Sequence, residues 1–475
     1  MEYEMVIGLE VHAQLLTKTK LFCGCTTPFG DPPNTHVCPG CLGMPGSLPV
    51  TNRAAVEMAV RMGLALGCRI NQKSIFNRKH YFYPDLPAGY QISQYNPPIC
   101  EDGKLAITIN GEEKIIGVGH IHLEEDAGKL IHDQDVDSLF DANRGGSALI
   151  EIVSRPDMRS PGEAYAYLTG LKQILEYLEI CDCNMEEGSL RCDANISLRP
   201  KGEEKLGTKT EIKNMNSFRN IEKAIEYEAR RQEDVLRGGS KILQQTFLWD
   251  PNKNCSIPMR TKEDANDYRY FPDPDLMPVV VESEWVEKLK ETLPELPAAR
   301  RARFQTVYEL SPYAAEVLTG TREMADYFEQ CVSACKDARA ASNWIMTDIM
   351  RMMNDGKLES PFKLNVNPQK LSGLIQLIND GGVSAKAAKK VLDLMESENK
   401  DAKTVVGEQG LSQVSDAGAL ETIVKEVVDA HPNEVQRYRE GDKKLTGFFM
   451  GQIMKASKGT ANPKEVGAIL NRLLG

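Results

Sequence analysis

The hydrophobic pattern of the chain changes at a proline-rich segment, residues 292–297, which reads Thr-Leu-Pro-Glu-Leu-Pro. Before it, short apolar and β-branched runs are separated by Gly, Pro and Asn, and this spacing predicts β-strands. After it, apolar residues recur every three or four positions, which predicts amphipathic helices. We therefore expect an α+β fold: an antiparallel-sheet domain (residues 1–293), an all-α helical domain (294–400) and a small helical tail domain (401–475).

Individual elements can be placed on this outline. The predicted strands include Met5–Leu15, Ile115–His122, Leu149–Ser154, Leu190–Leu198 and Thr210–Met215. Within the sheet domain, one helix is predicted from Pro161 to Glu179 with Ser160 as its N-cap, and another from about Asn220 to Arg237. In the helical region, the periodicity predicts helices over Ala314–Val332 and Leu371–Ile378.

Charge and the N-terminal residues limit the classes of function. The chain has 57 Lys and Arg against 68 Asp and Glu, a net charge of −11, which argues against a simple basic coat for nucleic acid but allows a local basic patch. Residues 1–8 are acidic and then apolar, unlike a secretory signal. No apolar run approaches the ~18 residues that span a bilayer. We therefore expect a cytoplasmic protein without membrane contact.

Four of the 12 cysteines form two close pairs, Cys23-Gly-Cys25 and Cys38-Pro-Gly-Cys41. Four thiolates at this spacing match a closed, tetrahedral zinc site, and Pro and Gly in the second pair suit a tight knuckle. The alternative is a set of unrelated buried thiols. The other cysteines are expected in the core: Cys68, Cys100, Cys181, Cys183, Cys192, Cys255, Cys331 and Cys335.

Carboxylates occur on several otherwise apolar strands. Because residues i and i+2 of a strand share a face, Glu10 and His12 point the same way. Further acids stand at Glu124–Asp126, at Glu151 and at Asp193. Several acids and a histidine can be buried together if they surround a cation, and oxygen-rich ligation with an imidazole suits Mg²⁺ or Mn²⁺. The alternative is a set of structural ion pairs on the sheet faces.

Basic residues stand in comparable segments, at Lys79, Lys213 and Arg269. A divalent cation together with Lys and Arg side chains is the usual equipment for neutralising a polyphosphate. The sequence contains no P-loop and no G-x-G-x-x-G motif, and the nearest phosphate-type loop, Arg144–Ser147, is a weak signal. The residues alone therefore favour a phosphate-binding site, but they do not indicate which reaction it catalyses.

Several of these segments together resemble one family, the B-type subunit of the aspartyl/glutamyl-tRNA amidotransferases. The matching strings are IGLEVH (7–12), RKHYFYPD (78–85), GYQISQ (89–94), LEEDAGK (123–129), EEGSLRCDAN (186–195), DYRYFP (267–272) and GQIMKASKG (451–459). The resemblance covers essentially the whole chain. It implies a closed, concave cradle in the sheet domain, because the reactive intermediate of this family must be shielded from water.

The resemblance also implies a reaction. In organisms that lack a synthetase for Gln or Asn, a tRNA is first mischarged with Glu or Asp, and the attached residue is then amidated. The B-type subunit holds the misacylated tRNA and uses ATP and Mg²⁺ to phosphorylate the side-chain carboxylate, which ammonia then converts to the amide. An A-type amidase subunit supplies the ammonia, and a small C-type subunit wraps the junction between the other two, so the complex is a heterotrimer.

The functional residues of the family can be assigned only at positions where this sequence matches the family's motifs. The resemblance predicts Glu10, His12, Glu125 and Glu151 as magnesium ligands and catalytic residues, with Glu124 and Asp193 as second choices. It predicts Lys79, as a further catalytic residue, together with Lys213 and Arg269 for contacts to phosphate or carboxylate. The zinc site of the family falls on Cys23, Cys25, Cys38 and Cys41, where the metal would stiffen the fold.

The last stretch of the chain, residues 441–475, is basic in an otherwise acidic chain: it has Lys443, Lys444, Lys455, Lys458, Lys464 and Arg472 against Asp442 and Glu465. The resemblance gives this basic tail a role. Lys455 and Lys458 become candidates for contacts with the tRNA backbone, because phosphate contacts give affinity and orientation without reading sequence. The alternative is a solvated helix end.

Two other functions remain possible for the whole chain. One is a non-catalytic scaffold that holds tRNA. The other is that of the archaeal E-type relative, but that relative carries a synthetase-like insert, which this chain lacks. The sequence does not say whether tRNA(Gln), tRNA(Asn) or both are substrates.

Overall fold

A computed structural model describes residues 2–132, 134–261, 268–411, 417–457, 461 and 463–474 of the chain. The chain separates into two compact units, Met1–Leu296 and Pro297–Gly475. The first unit is built on a large, mainly antiparallel sheet and the second is helical, so the predicted α+β class is confirmed. The predicted division at residues 400 and 401 stays a prediction.

The strands of the first unit are mostly short. They are β1 (Tyr3–Gln14), β2 (Arg69–Ile70), β3 (Lys73–Ser74), β4 (Phe76–His80), β5 (Tyr90–Gln94), β6 (Cys100–Ile109), β7 (Glu112–Glu125), β8 (Lys129–Ile131), β9 (Leu139–Asp141), β10 (Ala148–Ser154), β11 (Leu190–Pro200), β12 (Thr210–Lys213), β13 (Gln245–Asp250), β14 (Cys255–Thr261), β15 (Phe271–Pro272) and β16 (Val279–Val280). Twelve of the described strands form one sheet. Its main order is β14-β13-β12-β11-β1-β10-β7-β5-β4-β15, with β6 beside β7 and β2 beside β6.

Strand β1 lies in the middle of this sheet, antiparallel to both β10 and β11. Its sequence alternates, so Ile7, Leu9 and Val11 are fully buried in the core on one side. Glu10 and His12 point to the other side. The central strand is thus held by its apolar face, while its polar face is available to the neighbouring strands.

Among the described residues, four α-helices accompany the sheet: α1 (Arg53–Ala65), α2 (Pro161–Tyr177), α3 (Phe218–Arg237) and α4 (Ser283–Glu291). Helix α2 begins as the sequence predicts, because the Ser160 hydroxyl accepts a hydrogen bond from the backbone N–H of Glu163. Ser217 caps α3 in the same way. Apolar residues of the helices and the strands form one continuous core, so the helices cover apolar surface of the sheet.

The second unit consists of helices with short connections. They are α5 (Pro297–Val307), α6 (Pro312–Leu318), α7 (Arg322–Cys335), α8 (Ala338–Trp344), α9 (Met350–Gly356), α10 (Pro368–Asn379), α11 (Ala385–Glu398), α12 (Ala402–Glu408), α13 (Ala417–Asp429), α14 (Pro432–Arg439), α15 (Leu445–Ala456) and α16 (Pro463–Leu474). A π-helical turn, Ile345–Ile349, joins α8 to α9, and a 3-10 turn, Pro361–Lys363, precedes α10.

One helix prediction was wrong in this unit. The single helix expected over Ala314–Val332 is two helices, α6 and α7, separated at residues 319–321. The Thr321 hydroxyl accepts from the backbone N–H of Met324 and so begins a new helix. Apolar side chains of the unit form two clusters, one between Phe304 and Val406 and the other between Leu420 and Leu474.

Candidate functional site

Five neighbouring strands carry polar side chains on the same face of the sheet. The register places Glu151 of β10 between His12 of β1 and His122 of β7. On the other side of β1, Arg191 lies opposite His12, and Asp193 lies opposite Glu10. We call this surface the charged face; it comprises His120, His122, Glu124, Glu151, Glu10, His12, Arg191, Asp193, Asn195, Glu211 and Lys213.

The first group on the charged face consists of two imidazoles and two carboxylates. The Nε2 atom of His12 lies 3.3 Å from Glu151 Oε2 and 3.4 Å from Glu124 Oε1. The Nε2 atom of His122 lies 3.2 Å from the same Glu151 oxygen and 3.7 Å from Glu124 Oε2. We call these four residues the histidine–glutamate cluster. Both carboxylates and both imidazoles converge on one small volume.

Burial alone would lower the pKa of each imidazole in this cluster. The carboxylates of Glu151 and Glu124 outweigh burial, and they raise the pKa of His122 to about 10 and that of His12 above its usual value. Burial acts in the opposite sense on Glu151, but the two imidazoles hold its pKa well below the usual 4.5. Burial would likewise raise the pKa of Glu124, but His122 and His12 lower it, so both carboxylates are stabilised as anions by the imidazoles beside them.

The donor set fits a divalent cation. Ligand atoms of His12, Glu124 and Glu151 all lie within 4.8 Å of one another, a separation that one ion can bridge. Carboxylate oxygens with an imidazole suit Mg²⁺ or Mn²⁺. Glu124 is also contacted by the hydroxyl of Ser93, at 3.4 Å, so its carboxylate is oriented from the neighbouring strand.

A second acidic group stands further along the charged face. Ligand atoms of Glu10, Asp193 and Glu211 also lie within 4.8 Å of one another. Here a lysine supplies positive charge: the ammonium of Lys213 lies 2.5 Å from Asp193 Oδ2 and 3.5 Å from Glu211 Oε1. Burial would lower the pKa of Lys213, but Asp193 and Glu211 raise it above its usual 10.5. The amide of Asn195 donates to Glu10 at 2.8 Å.

Glu125 belongs to neither group. Successive residues of a strand point to opposite faces, so Glu125 points away from Glu124. Its carboxylate accepts a hydrogen bond of 2.9 Å from the backbone N–H of Ile92. It lines a cavity of about 300 Å³ together with Arg78 and Cys41. Burial there raises the pKa of Glu125 to about 7.

The four paired cysteines do come together. The sulfurs of Cys23, Cys25, Cys38 and Cys41 lie within 4.8 Å of one another, which fits a single tetrahedral ion. The backbone N–H of Cys38 donates to Cys41 Sγ at 3.2 Å, as expected of a knuckle. A hydrogen bond from Cys23 lowers the pKa of Cys41 to about 4, assisted by the Cys38 amide and the Lys20 ammonium. The site is therefore disposed to hold a cation through thiolate.

Comparison with known proteins identifies the chain. Residues 5–287 match the family model described as the GatB/GatE catalytic domain, and residues 326–474 match the GatB domain. A protein of Desulfotalea psychrophila, named as the B-type subunit of an aspartyl/glutamyl-tRNA(Asn/Gln) amidotransferase, is 53% identical over 476 residues, covering 100% of both chains. The chain belongs to this family of B-type amidotransferase subunits.

Further members of the family are equally similar. The relative from Syntrophotalea carbinolica, which has the same name, is 52% identical and covers 99% of this chain and 98% of its own length. That of Chlorobium phaeobacteroides is 53% identical over 475 residues, covering 100% of each chain. The matches thus run through both the sheet unit and the helical unit, as the resemblance of the sequence motifs predicts.

The structure divides the predicted magnesium ligands of the family member among three places. His12 and Glu151 meet in the histidine–glutamate cluster, together with Glu124, which was a second choice. Glu10 lies with Asp193, and Glu125 lies on the opposite face. Sequence reasoning did not select His122, Glu211 or Lys20. The alternation of His120, His122 and Glu124 along one strand is a signal that could have found His122.

The predicted cationic residues differ in their surroundings. Lys79, on β4, places its ammonium 5.0 Å from the ring centre of Tyr268. Lys213 is engaged with Asp193, as described. Arg269 is exposed, with a backbone φ of 47°. Lys455 is exposed near the end of α15, and Lys458 lies outside the described residues.

Other predictions concern buried thiols and membranes. Cys181 and Cys183 are buried in the core as predicted, whereas Cys255 is only partly buried because it begins the edge strand β14. Among the described residues, no helix combines the length and apolar composition needed to cross a membrane.

Proposed function

We propose that this protein holds misacylated tRNA and activates the side-chain carboxylate of its attached Glu or Asp for amidation. ATP phosphorylates the carboxylate, which turns a poor acyl donor into one with a phosphate leaving group. Ammonia then displaces phosphate and gives Gln-tRNA(Gln) or Asn-tRNA(Asn). The ammonia comes from an A-type amidase subunit, and the small C-type subunit makes the complex a cytoplasmic heterotrimer.

The observation that carries this proposal is the convergence of His12, Glu124 and Glu151 on the charged face, which further along also carries Lys213. These three residues would hold Mg²⁺. When bound, the ion would neutralise phosphate oxygens and so let two anions approach each other. Family membership adds weight, because relatives along the full length are named as tRNA amidotransferase subunits.

The protein's own groups provide binding and orientation. Lys79 and Lys213 lie on strands that flank the histidine–glutamate cluster, at β4 and β12. Lysine ammonium groups on both sides can hold the phosphates and the substrate carboxylate in line for attack. Arg191 is fixed by Asp126, whose Oδ2 lies 2.9 Å from its guanidinium, and so provides a further positioned cation.

The cysteine knuckle has a structural role in this proposal. A four-cysteine site has no open coordination position, so bound Zn²⁺ would stiffen the segment without reacting.

In the second unit, Lys455 contacts the tRNA backbone, and the predicted contact of Lys458 belongs to the same proposal. Both tRNA(Gln) and tRNA(Asn) are substrates, as the names of the relatives suggest.

The first test measures whether ATP activates the side-chain carboxylate of the attached amino acid. The assembled complex is supplied with misacylated tRNA and γ-labelled ATP but no glutamine. Hydroxylamine is added to trap the activated side-chain carboxylate as its side-chain hydroxamate, which is separated from the hydroxamate that hydroxylamine forms at the ester bond to tRNA. We expect ADP and hydroxamate in equal amounts, and neither with uncharged tRNA. A Glu124→Gln variant should bind tRNA but form neither product. If Glu124→Gln still forms ADP and hydroxamate at the wild-type rate, these acids are only structural ion pairs and the scaffold function is supported instead.

Substrate choice is tested separately. The same complex is offered Glu-tRNA(Gln) and Asp-tRNA(Asn), each with ATP and glutamine. We expect amidation of both. Failure of one alone restricts the proposal to the other tRNA and leaves the carboxylate chemistry intact.

A further inference from the structure

An aromatic cluster stands beside the charged face and has no part in the chemistry proposed above. The rings of Tyr95 and Tyr270 are stacked, with centres 4.5 Å apart and planes inclined by 12°. Tyr268 packs edge-on against Tyr270 at 6.1 Å, and Tyr81 packs edge-on against Tyr268 at 6.3 Å. We call these four residues the tyrosine platform.

The platform adjoins the histidine–glutamate cluster. Tyr95 directly follows β5, two residues after Ser93, whose hydroxyl contacts Glu124. Residues two apart on an extended chain lie on the same side and only about 7 Å apart. Besides burial, the charges of Glu124 and Glu151 raise the pKa of Tyr270, which is a second sign that these groups are near.

The platform is open to a ligand. Tyr95 is 57% exposed, although its ring is stacked on Tyr270, so the stack ends at solvent. The ammonium of Lys79 lies 5.0 Å from the ring centre of Tyr268. Exposed aromatic rings beside a basic side chain are the arrangement by which proteins hold unpaired bases and their phosphates.

We propose that the tyrosine platform stacks the unpaired 3′-terminal adenine of tRNA. The inference rests on the proposed function, which brings an aminoacylated 3′ end to the charged face. The amino acid is esterified to the ribose of that terminal nucleotide, so its carboxylate and the base are separated by a short, fixed set of bonds. Holding the base at Tyr95 therefore delivers the carboxylate towards Glu124 and His12.

Stacking also fits the kind of recognition required. A ring face accepts a base without reading the rest of the tRNA sequence, because every base has a π-face. The terminal CCA is common to all tRNAs. The platform would thus serve a tRNA for Gln and a tRNA for Asn alike, and the choice between them would be made elsewhere.

The test pairs a protein variant with a shortened tRNA. Affinity of the assembled complex is measured for uncharged tRNA ending in CCA and for the same tRNA ending in CC. We expect the wild-type complex to bind the complete end about 10-fold more tightly, in line with the loss of one stacked base. In Tyr95→Ala this ratio should fall to about 1, while Tyr95→Phe, which keeps the ring, retains it. Tyr165→Ala, a partly exposed tyrosine on α2, is the matched control and should keep the full ratio.

Fluorescence gives an independent measurement of stacking. With 2-aminopurine in place of the terminal adenine, emission should fall on binding to wild type and to Tyr95→Phe, but not on binding to Tyr95→Ala. If the CCA-to-CC ratio is the same in Tyr95→Ala as in wild type, the proposal is overturned. A change confined to the KM for ATP would likewise overturn it, since the platform would then hold the adenine of the nucleotide.

The affinity measurements use uncharged tRNA and no ATP. Loss of phosphorylation therefore cannot imitate loss of the stacked base. Failure of the proposed function and failure of the platform would appear in different measurements.

Discussion

The ammonium of Lys20 lies 3.5 Å from the sulfur of Cys41 and donates a 3.1 Å hydrogen bond to the carbonyl of Ala142. Lys20 is fully buried, and within the described part of the chain no Asp or Glu forms an ion pair with it. A buried ammonium is costly unless an anion accompanies it. The sulfur of Cys41 lies next to this ammonium and, as a thiolate, would supply that anion. The buried cation and the proposed zinc site would then stabilise each other.

Replacing Lys20 by Met should weaken zinc binding. A neutral side chain of similar length removes the positive charge and the N–H donor at Cys41, and loss of such an outer partner typically lowers metal affinity by about 10–100-fold. Zinc release to a chelator measures the effect. Lys18→Met, two residues earlier and exposed, is the control and should release zinc like wild type. Equal release rates for both variants would show that Lys20 does not support the metal.

Two adjacent glutamates should behave differently towards Mn²⁺. Glu124 lies with His12 and Glu151, whereas Glu125 faces the cavity on the other side of the sheet. Glu124→Gln should lower Mn²⁺ affinity at least about 10-fold by removing a ligand, while Glu125→Gln changes it by less than about 3-fold. Titration followed by electron paramagnetic resonance measures both. If Glu125→Gln lowers Mn²⁺ affinity more than Glu124→Gln does, the metal lies beside Glu125 instead.

The tail should contribute to tRNA affinity through charge alone. Lys455→Glu is expected to weaken tRNA binding about 3–10-fold near physiological salt and to lower the slope of log affinity against log salt by about 1. Glutaminase activity of the amidase partner should not change. The exposed Lys403 on α12 offers a control position. An unchanged slope across the salt series would exclude a phosphate contact at Lys455.

Acid should destabilise the helical unit through Glu329. Its carboxylate accepts hydrogen bonds from Arg300 and Arg303, at 3.0 Å and 2.6 Å. Burial would raise the pKa of Glu329, but the two guanidinium groups outweigh it and lower the pKa below the usual 4.5. Stability from this group is therefore complete above pH 4.5 and is lost as the pH falls through the lowered pKa.

Glu329→Gln tests this pH dependence. At pH 7 the variant should lose about 1 kcal/mol, or about 2–4 °C in Tm, because the pair is half-buried and partly screened. The difference from wild type should shrink as the pH is lowered from 7 towards 3, because Glu329 becomes protonated as the pH falls through its lowered pKa. Glu316→Gln, an exposed residue of α6, should match wild type at both pH values. A difference that is independent of pH would point to packing rather than charge.

Local patterns predicted the elements well. The alternation in β1 correctly placed Glu10 and His12 on one face, and the Ser160-Pro161 pair correctly began α2. The same reasoning failed at residues 319–321. The helical spacing of apolar residues continues through this segment, although one helix ends there and Thr321 caps the next. Capping is one hydrogen bond, and it leaves little trace in a pattern of apolar residues.

The charged face could be predicted only in part. Sequence indicates that Glu124 and Glu125 point to opposite sides of their strand, but it does not say which side meets His12. That depends on β10 lying between β1 and β7, with Glu151 opposite both His12 and His122. A shift of one residue in that register would exchange every side chain between the two faces.

The sequence by itself determined which side chains share a strand face, where the cysteine pairs stand, and to which family the chain is similar. These properties follow from the period of a strand and from spacing along the chain, which are local. The tertiary structure decided which carboxylates meet the imidazoles and that Lys20 reaches Cys41. Both relationships join residues far apart in sequence, and the order and register of the strands, rather than any local preference, bring them together.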